Sequence, residues 1–199
     1  MASEHAGATA KTDETDVSAD IGRDLRAIRQ SKGLTLAEVA GRLGRSIGFL
    51  SQVERGISTL STAELRQVAR LFDVPVSWFL LLSDVSEEER GYVTRSALRR
   101  RSGDVGDGLV EELLSPDLSG SYEVLRSVFA PGARLAEPTL RQTEETAYLV
   151  SGMLDVRLGE RAFTVSAGDS FRFKEEWFSW ENNYDEPAVA IWVVSPPIY

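Results

Sequence analysis

Residues 35–56 read TLAEVAGRLGRSIGFLSQVERG, and the reading of this stretch decides the fold. It holds two short helical patterns joined by a tight break. Thr35 followed by Glu38 is a capping box, in which each side chain satisfies an orphan N–H at a helix start. Leu36, Val39, Ala40 and Leu43 then fall on one face at helical spacing. Gly44 ends the run where a residue must take positive φ. A second run opens at Ser46, turns Phe49, Leu50 and Val53 inward, and closes at Gly56. Helices of about two turns are not stable alone and must pack against neighbours. They leave one small polar surface free on the second helix, carrying Ser46, Ile47, Gly48, Ser51, Gln52 and Arg55.

Neighbours stand on both sides. Residues 21–32 make an amphipathic helix with Asp20 as N-cap, Ile21, Leu25 and Ile28 as its inner stripe and Gly33 as its stop. Arg23, Arg26 and Arg29 fall on its outer side, toward solvent or phosphate. Ser61 with Glu64 is a second capping box, followed by the stripe Leu65, Val68, Ala69 and Leu71. Pro75 to Leu82 fits a short fifth helix whose Trp78, Phe79 and Leu82 close the core. Ahead of these, residues 1–20 hold almost no large apolar side chain and read as a disordered acidic tail.

Two short helices with one free polar face are the helix-turn-helix geometry, whose second helix enters the DNA major groove N-terminus first. LTLAEVAGRLGRSIGFLSQVERG, and above all LSQVERG, resembles the DNA-binding domain of the XRE regulators, the phage Cro and C1 repressor-like proteins. The resemblance covers residues 21–82 and implies a lambda repressor-like bundle of four to five helices. It places Ile47, Gly48 and Gln52 at positions that face base edges, with Ser46, Ser51 and Arg55 beside them and Arg45 and Ser46 at the phosphate-facing helix N-terminus. Glutamine pairs with adenine N6 and N7, and isoleucine packs on a thymine methyl. Glu54 is a structural position in this family.

Charge agrees with that division. The chain of 199 residues has a net charge of −9. Residues 21–82 carry nine Lys/Arg against five Asp/Glu, whereas residues 1–20 carry one against five and residues 83–199 carry twelve against twenty-one. The basic segment is the one that meets phosphate, within a Debye length of about 10 Å. There is no cysteine, and the single histidine, His5, sits in the tail. No apolar run approaches the roughly 20 residues of a membrane helix, and the polar, acidic N-terminus is unlike a signal peptide. These features place the protein in the cytoplasm, away from membranes.

Residues 83–107 read as a charged, glycine-interrupted linker, in which Arg99, Arg100 and Arg101 are solvated or touch DNA. Beyond it the texture changes to short alternating runs, among them YLVSG, LDVRL, RAFTV and DSFRF, separated by Gly, Asn and Pro turns. YLVSGMLDV and AGDSFRF resemble pieces of the cupin barrel, and the likeness extends over residues 108–199. The fold class expected is therefore α + β in two domains, an all-α helix-turn-helix bundle followed by an antiparallel cupin, or jelly-roll, β-barrel.

Many cupins hold a metal through histidines and a glutamate. The resemblance sets Thr139, Arg141 and Phe178 at the histidine positions and Glu145 at the glutamate. One carboxylate, with no histidine or cysteine in the barrel, does not make a transition-metal site. No metal, no cofactor and no catalytic residue are expected. Arg141, Glu145, Tyr148, Phe178 and Trp180, with Trp177, remain at that mouth as candidates for binding a small molecule, and a guanidinium there suits a carboxylate. The expected function is a repressor that binds an inverted-repeat operator as a homodimer and whose barrel binds a small-molecule effector. The alternatives are a barrel that serves only for dimerisation, and a cupin enzyme with an attached helix-turn-helix domain.

Overall fold

The computed structural model describes residues 5–103 and 108–198. Residues 1–4 of the expected tail and 104–107 of the expected linker lie outside them. The chain forms two compact units. One holds the chain up to Leu98 together with Pro116–Ser119; the other holds Arg99–Ser115 and Gly120–Ile198.

The first unit is helical: α1 (His5–Ser31), α2 (Leu36–Leu43), α3 (Ile47–Glu54), α4 (Thr62–Phe72) and α5 (Ser77–Leu80). Both capping boxes form, with the Glu38 N–H donating to Thr35 Oγ1 and the Glu64 N–H to Ser61 Oγ. Gly44 has φ 65°, the left-handed cap that lets the chain turn from α2 into α3. The core is built from Leu25, Ile28, Val39, Leu50, Val68 and Phe72, all fully buried, with Trp78 and Phe79 closing it. The side chain of Leu82, expected beside them, lies outside the described residues.

Three expectations are corrected here. The helix begins at His5 rather than near Asp20, because Ala6, Ala8, Ala10, Lys11 and Glu14 are good helix formers, and extending a formed helix needs no new nucleus. Arg29 does not face out: it is 9 % exposed. It stands four residues after Leu25 and one after Ile28, on the flank of the same buried stripe. The linker is partly structured as well. Ser83–Leu98 belongs to the helical unit, with 3-10 turns at Leu81–Asp84, Glu87–Glu89 and Ser96–Leu98, while Arg99 and Arg101 pair with Glu112 in the second unit at 3.0 and 2.9 Å. Arg100 is buried, so this basic run is structural.

α1 crosses the end of α3 closely. A Cβ on Gly22 would lie 2.2 Å from the Val53 carbonyl oxygen, so only glycine fits.

The second unit contains β1 (Arg101–Ser102), β2 (Leu109–Leu113), β3 (Glu123–Phe129), β4 (Glu144–Ser151), β5 (Met153–Leu158), β6 (Arg161–Ser166), β7 (Ser170–Lys174), β8 (Phe178–Glu181) and β9 (Ala188–Ser195). All pairings are antiparallel, in a sheet of order β1-β2-β3-β9-β4-β7 and a second of order β6-β5-β8. Alternation puts Ala147, Leu149, Ala190 and Trp192 of one sheet into a core shared with Leu154, Val156 and Trp180 of the other. Two antiparallel sheets sharing one core make a β-sandwich, the architecture to which the jelly roll belongs.

The α1–α3 crossing is testable. Gly22→Ala improves helix propensity yet forces the helices apart. It should lower stability by about 1–3 kcal/mol, read as a drop in melting temperature followed by circular dichroism. An unchanged or higher melting temperature would contradict the crossing.

Candidate nucleic-acid interface and candidate ligand cavity

The free face of α3 follows from what its other face buries. Leu50, Val53 and Glu54 point inward. Glu54 is 7 % exposed and takes both ends of the Arg29 fork, Nε donating to Oε1 at 2.6 Å and Nη2 to Oε2 at 3.0 Å. This bond is the main cause that holds the Arg29 guanidinium above its usual pKa, and Arg29 Nη1 also donates to the Leu34 carbonyl at 2.8 Å.

With that face fixed, Ile47, Ser51 and Arg55 line up at four-residue spacing outside, and Gly48 and Gln52 form the neighbouring row. Ile47 is 53 % exposed, a large apolar side chain left half open to solvent. A Cβ at Gly48 would meet nothing nearer than Ser46 Oγ at 4.0 Å, so the surface is open there to a close approach. Ser46 caps the helix by accepting the Phe49 N–H at 3.1 Å. Arg55 Nε donates to the Ser51 carbonyl.

Two residues behave differently from a free DNA contact. Arg45 donates to Glu64 Oε1 from Nε at 2.7 Å and lies over the Phe49 ring at 5.2 Å, so it is partly engaged while half-exposed. Ser58, which the sequence did not single out, donates its hydroxyl to Gln52 Oε1 at 3.1 Å. The Gln52 backbone carbonyl also accepts the N–H groups of Ile57 and Ser58, at 2.9 and 3.3 Å. The loop after α3 thus holds Gln52 by main chain and side chain, and the amide keeps its N–H donors and one oxygen lone pair free.

In the second unit Thr139, Arg141, Glu145 and Phe178 all line one partly open cavity of about 60 Å³, together with Glu111, Phe129, Trp180 and Trp192. Thr139 and Phe178 exchange backbone hydrogen bonds, both 2.8 Å, which joins the segment before β4 to β8. Tyr148 is not among them. It is 49 % exposed, because Glu145, Ala147 and Leu149 point inward and the residue between must point out. Trp177 is 55 % exposed and also stands apart.

The cavity wall holds one carboxylate that the sequence reading passed over, Glu111, and a second, Glu123, is buried close by. Glu111 accepts from Ser127 Oγ at 2.9 Å, and Glu145 accepts from Thr143 Oγ1 at 2.7 Å. Glu123 is 2 % exposed and accepts the Ile198 N–H at 3.1 Å. The β3–β9–β4 register sets Glu123 and Glu145 on either side of Val194. Burial chiefly raises the pKa of Glu111, and it raises that of Glu123 to about 7, with Glu111 and Glu145 adding to it and the Ile198 N–H and Arg141 opposing. Arg141 Nη1 lies 3.8 Å from Glu145 Oε1. At the four positions that hold a metal in other cupins this chain offers one carboxylate, a donor set that does not fit a metal. Among the described residues no three His, Cys, Asp or Glu side chains converge as metal ligands.

An open groove of about 310 Å³ runs along the outer face of β5, β6 and β8. Its Asp155 already accepts from Thr164, Asn183 and Tyr184, and the Thr164 bond is the main cause that holds this carboxyl below its usual range.

Comparison with known proteins matches residues 20–77 to the helix-turn-helix domain family and residues 125–194 to the cupin domain family. The chain is a helix-turn-helix protein with a cupin domain. The helix-turn-helix domain implies DNA binding. Among solved structures, an HTH_3 family transcriptional regulator from Vibrio cholerae is 21% identical over 92% of this chain and 99% of its own, with a TM-score of 0.44. The cupin domain of an XRE family transcriptional regulator from Enterobacter cloacae is 20% identical over 45% of this chain and 98% of its own, at 0.40. Hydroxypropylphosphonic acid epoxidase from S. wedmorenis is 15% identical over 88% and 97%, at 0.43. At these values none of them bears on what this chain binds. No curated protein matches it. Among the described residues no helix is long and apolar enough to cross a membrane.

The buried Glu123 yields a prediction of definite sign. Its folded pKa, about 7, lies above the ordinary 4.5, so the folded state holds the proton longer and stability falls as pH rises from 4.5 to 7. Glu123→Gln removes this loss and keeps an acceptor for the Ile198 N–H. At pH 8 it should stabilise the protein by on the order of 3 kcal/mol, a gain that fades to nothing toward pH 4.5 in denaturant titrations. A destabilised variant at pH 8 would contradict the assignment.

Proposed function

We propose that this protein is a homodimeric transcriptional regulator that reads an inverted-repeat operator through α3 and responds to a small molecule held in the cupin barrel. The observation that carries this reading is the exposed face of α3. Ile47, Gly48, Ser51, Gln52 and Arg55 share it, while Glu54 on the opposite face anchors the helix. Ile47 suits a thymine methyl, and Gln52, steadied by Ser58, suits a purine edge. Few long polar readers share the face, so DNA shape contributes to specificity. Arg45, Ser46 and Arg55 supply phosphate contacts around that centre.

One such domain buries too little surface for tight specific binding, which favours two copies on half-sites about one helical turn apart. A protein seated across its operator blocks access to the promoter, so repression is the simplest output. The barrel contributes a cavity at the positions where the resemblance sets the metal site of other cupins, with Arg141, Glu145, Phe178 and Trp180 on its wall. An effector there acts by shifting an equilibrium between DNA-competent and incompetent forms. No step of this reading needs catalysis.

The test is binding of the full chain to DNA from upstream of its own gene, by fluorescence anisotropy at two salt concentrations. Gln52→Ala should lose about 1–3 kcal/mol on the specific site and nothing on unrelated DNA. Ser58→Ala should lose less, and the combined variant no more than Gln52→Ala alone, since both act through one amide. Equal affinity for every sequence, or an unaffected Gln52→Ala, would overturn the reading.

A further inference from the structure

We infer that the ligand of the barrel cavity is a small organic cation, an ammonium or guanidinium compound held by Glu111 and Glu145 against a wall of aromatic rings. This rests on the reading of the barrel as an effector site and narrows it to one chemical class. It also reverses the expectation from sequence, in which Arg141 at a former metal position suited a carboxylate.

The first ground is charge. Glu111 and Glu145 line the cavity and Glu123 stands beside it, against the single guanidinium of Arg141. That guanidinium is 46 % exposed and already lies 3.8 Å from Glu145. An incoming anion would meet two carboxylates for one shared cation that water already screens in part. An incoming cation meets the opposite arrangement.

Unfilled hydrogen-bond capacity is the second ground. An ionised carboxylate offers about four lone-pair positions. Among the described residues, Glu111 is given one hydroxyl donor, from Ser127, and Glu145 one, from Thr143, beyond the long contact to Arg141. A ligand carrying several N–H donors and a positive charge fills that capacity, and a neutral apolar one does not.

The walls are the third ground. Phe129, Phe178, Trp180 and Trp192 line the same cavity, with Phe129 edge-on to Trp180 at 4.6 Å and Phe178 edge-on to Trp192 at 5.5 Å. Aromatic faces attract cations through the ring quadrupole, most strongly where water is excluded. Among the described residues the Trp192 indole N–H, buried on this wall, has no hydrogen-bond acceptor. It suits a ligand whose cation sits near an acceptor, such as an amino alcohol. About 60 Å³ admits a headgroup of roughly four or five heavy atoms, on the scale of one water for each 10–15 Å³.

The experiment follows thermal unfolding of the full chain with matched probes at equal ionic strength: ethylammonium, ethanolamine, choline and guanidinium against acetate, propionate and inorganic phosphate. Ligands that bind the folded state raise the melting temperature in a saturable way. At least one cation should do so and the anions should not. Glu111→Gln with Glu145→Gln should weaken that cation at least tenfold. Should this double variant not fold, Arg141→Gln decides, because removal of the like charge should tighten cation binding severalfold. Stabilisation by the anions alone, lost in Arg141→Gln, would overturn the class while leaving the barrel an effector site. If no probe binds, the effector reading falls and the cation with it.

Discussion

A guanidinium buried between two helices sets the geometry of the reading head. Arg29 meets the two oxygens of Glu54 as a fork, and its third nitrogen reaches the Leu34 carbonyl just before the α2 cap. One side chain therefore ties α1 to the end of α3 and to the entry of α2. A buried ion pair adds little net stability over a well-packed apolar replacement, but loss of one partner costs about 3–5 kcal/mol. Its particular contribution is direction, because a bidentate fork tolerates little rotation of either helix. With Gly22 against the Val53 carbonyl, it leaves α3 one orientation in which Ile47 and Gln52 face outward.

The barrel interior is arranged on the opposite principle. Arg29 and Glu54 satisfy each other, whereas among the described residues Glu111, Glu123 and Glu145 are each met by one short hydrogen bond from a hydroxyl or an N–H. Burial of Glu111 and Glu123 lowers stability near neutral pH, and a fold selected for stability alone would place apolar side chains there. Local rules are most often broken where a site is kept for function. Both the cavity and the buried Glu111 and Glu123 occur in the cupin domain.

Much of this was legible in the chain itself. Thr35 and Ser61 announced their helices through Glu38 and Glu64, and Gly44 announced the turn, because caps are local chemistry. Thr139, Arg141, Glu145 and Phe178 were brought to one cavity as the cupin resemblance implied. What was missed depended on parity or on flanks. Tyr148 and Glu145 lie an odd number of residues apart on one strand and so face opposite ways. Arg29 lies on the edge of an apolar stripe, where length and charge suggest solvent until a partner such as Glu54 is known. Glu123 shares its parity with Leu125 and Phe129, and the adjacent Glu111 and Glu112 had to send one carboxylate inward. Alternation alone could have found both interior glutamates. The pairing of Ser58 with Gln52 spans a loop and had no signal in spacing.

The central claim is that the outward face of α3 reads specific DNA as a pair of heads. The direct measurement is selection of random double-stranded DNA by the full-length chain, followed by sequencing of the bound fraction at physiological salt. The account predicts enrichment of an inverted repeat with half-sites about one helical turn apart. Bound DNA with no sequence in common with itself, or no enrichment over the starting pool, would contradict it.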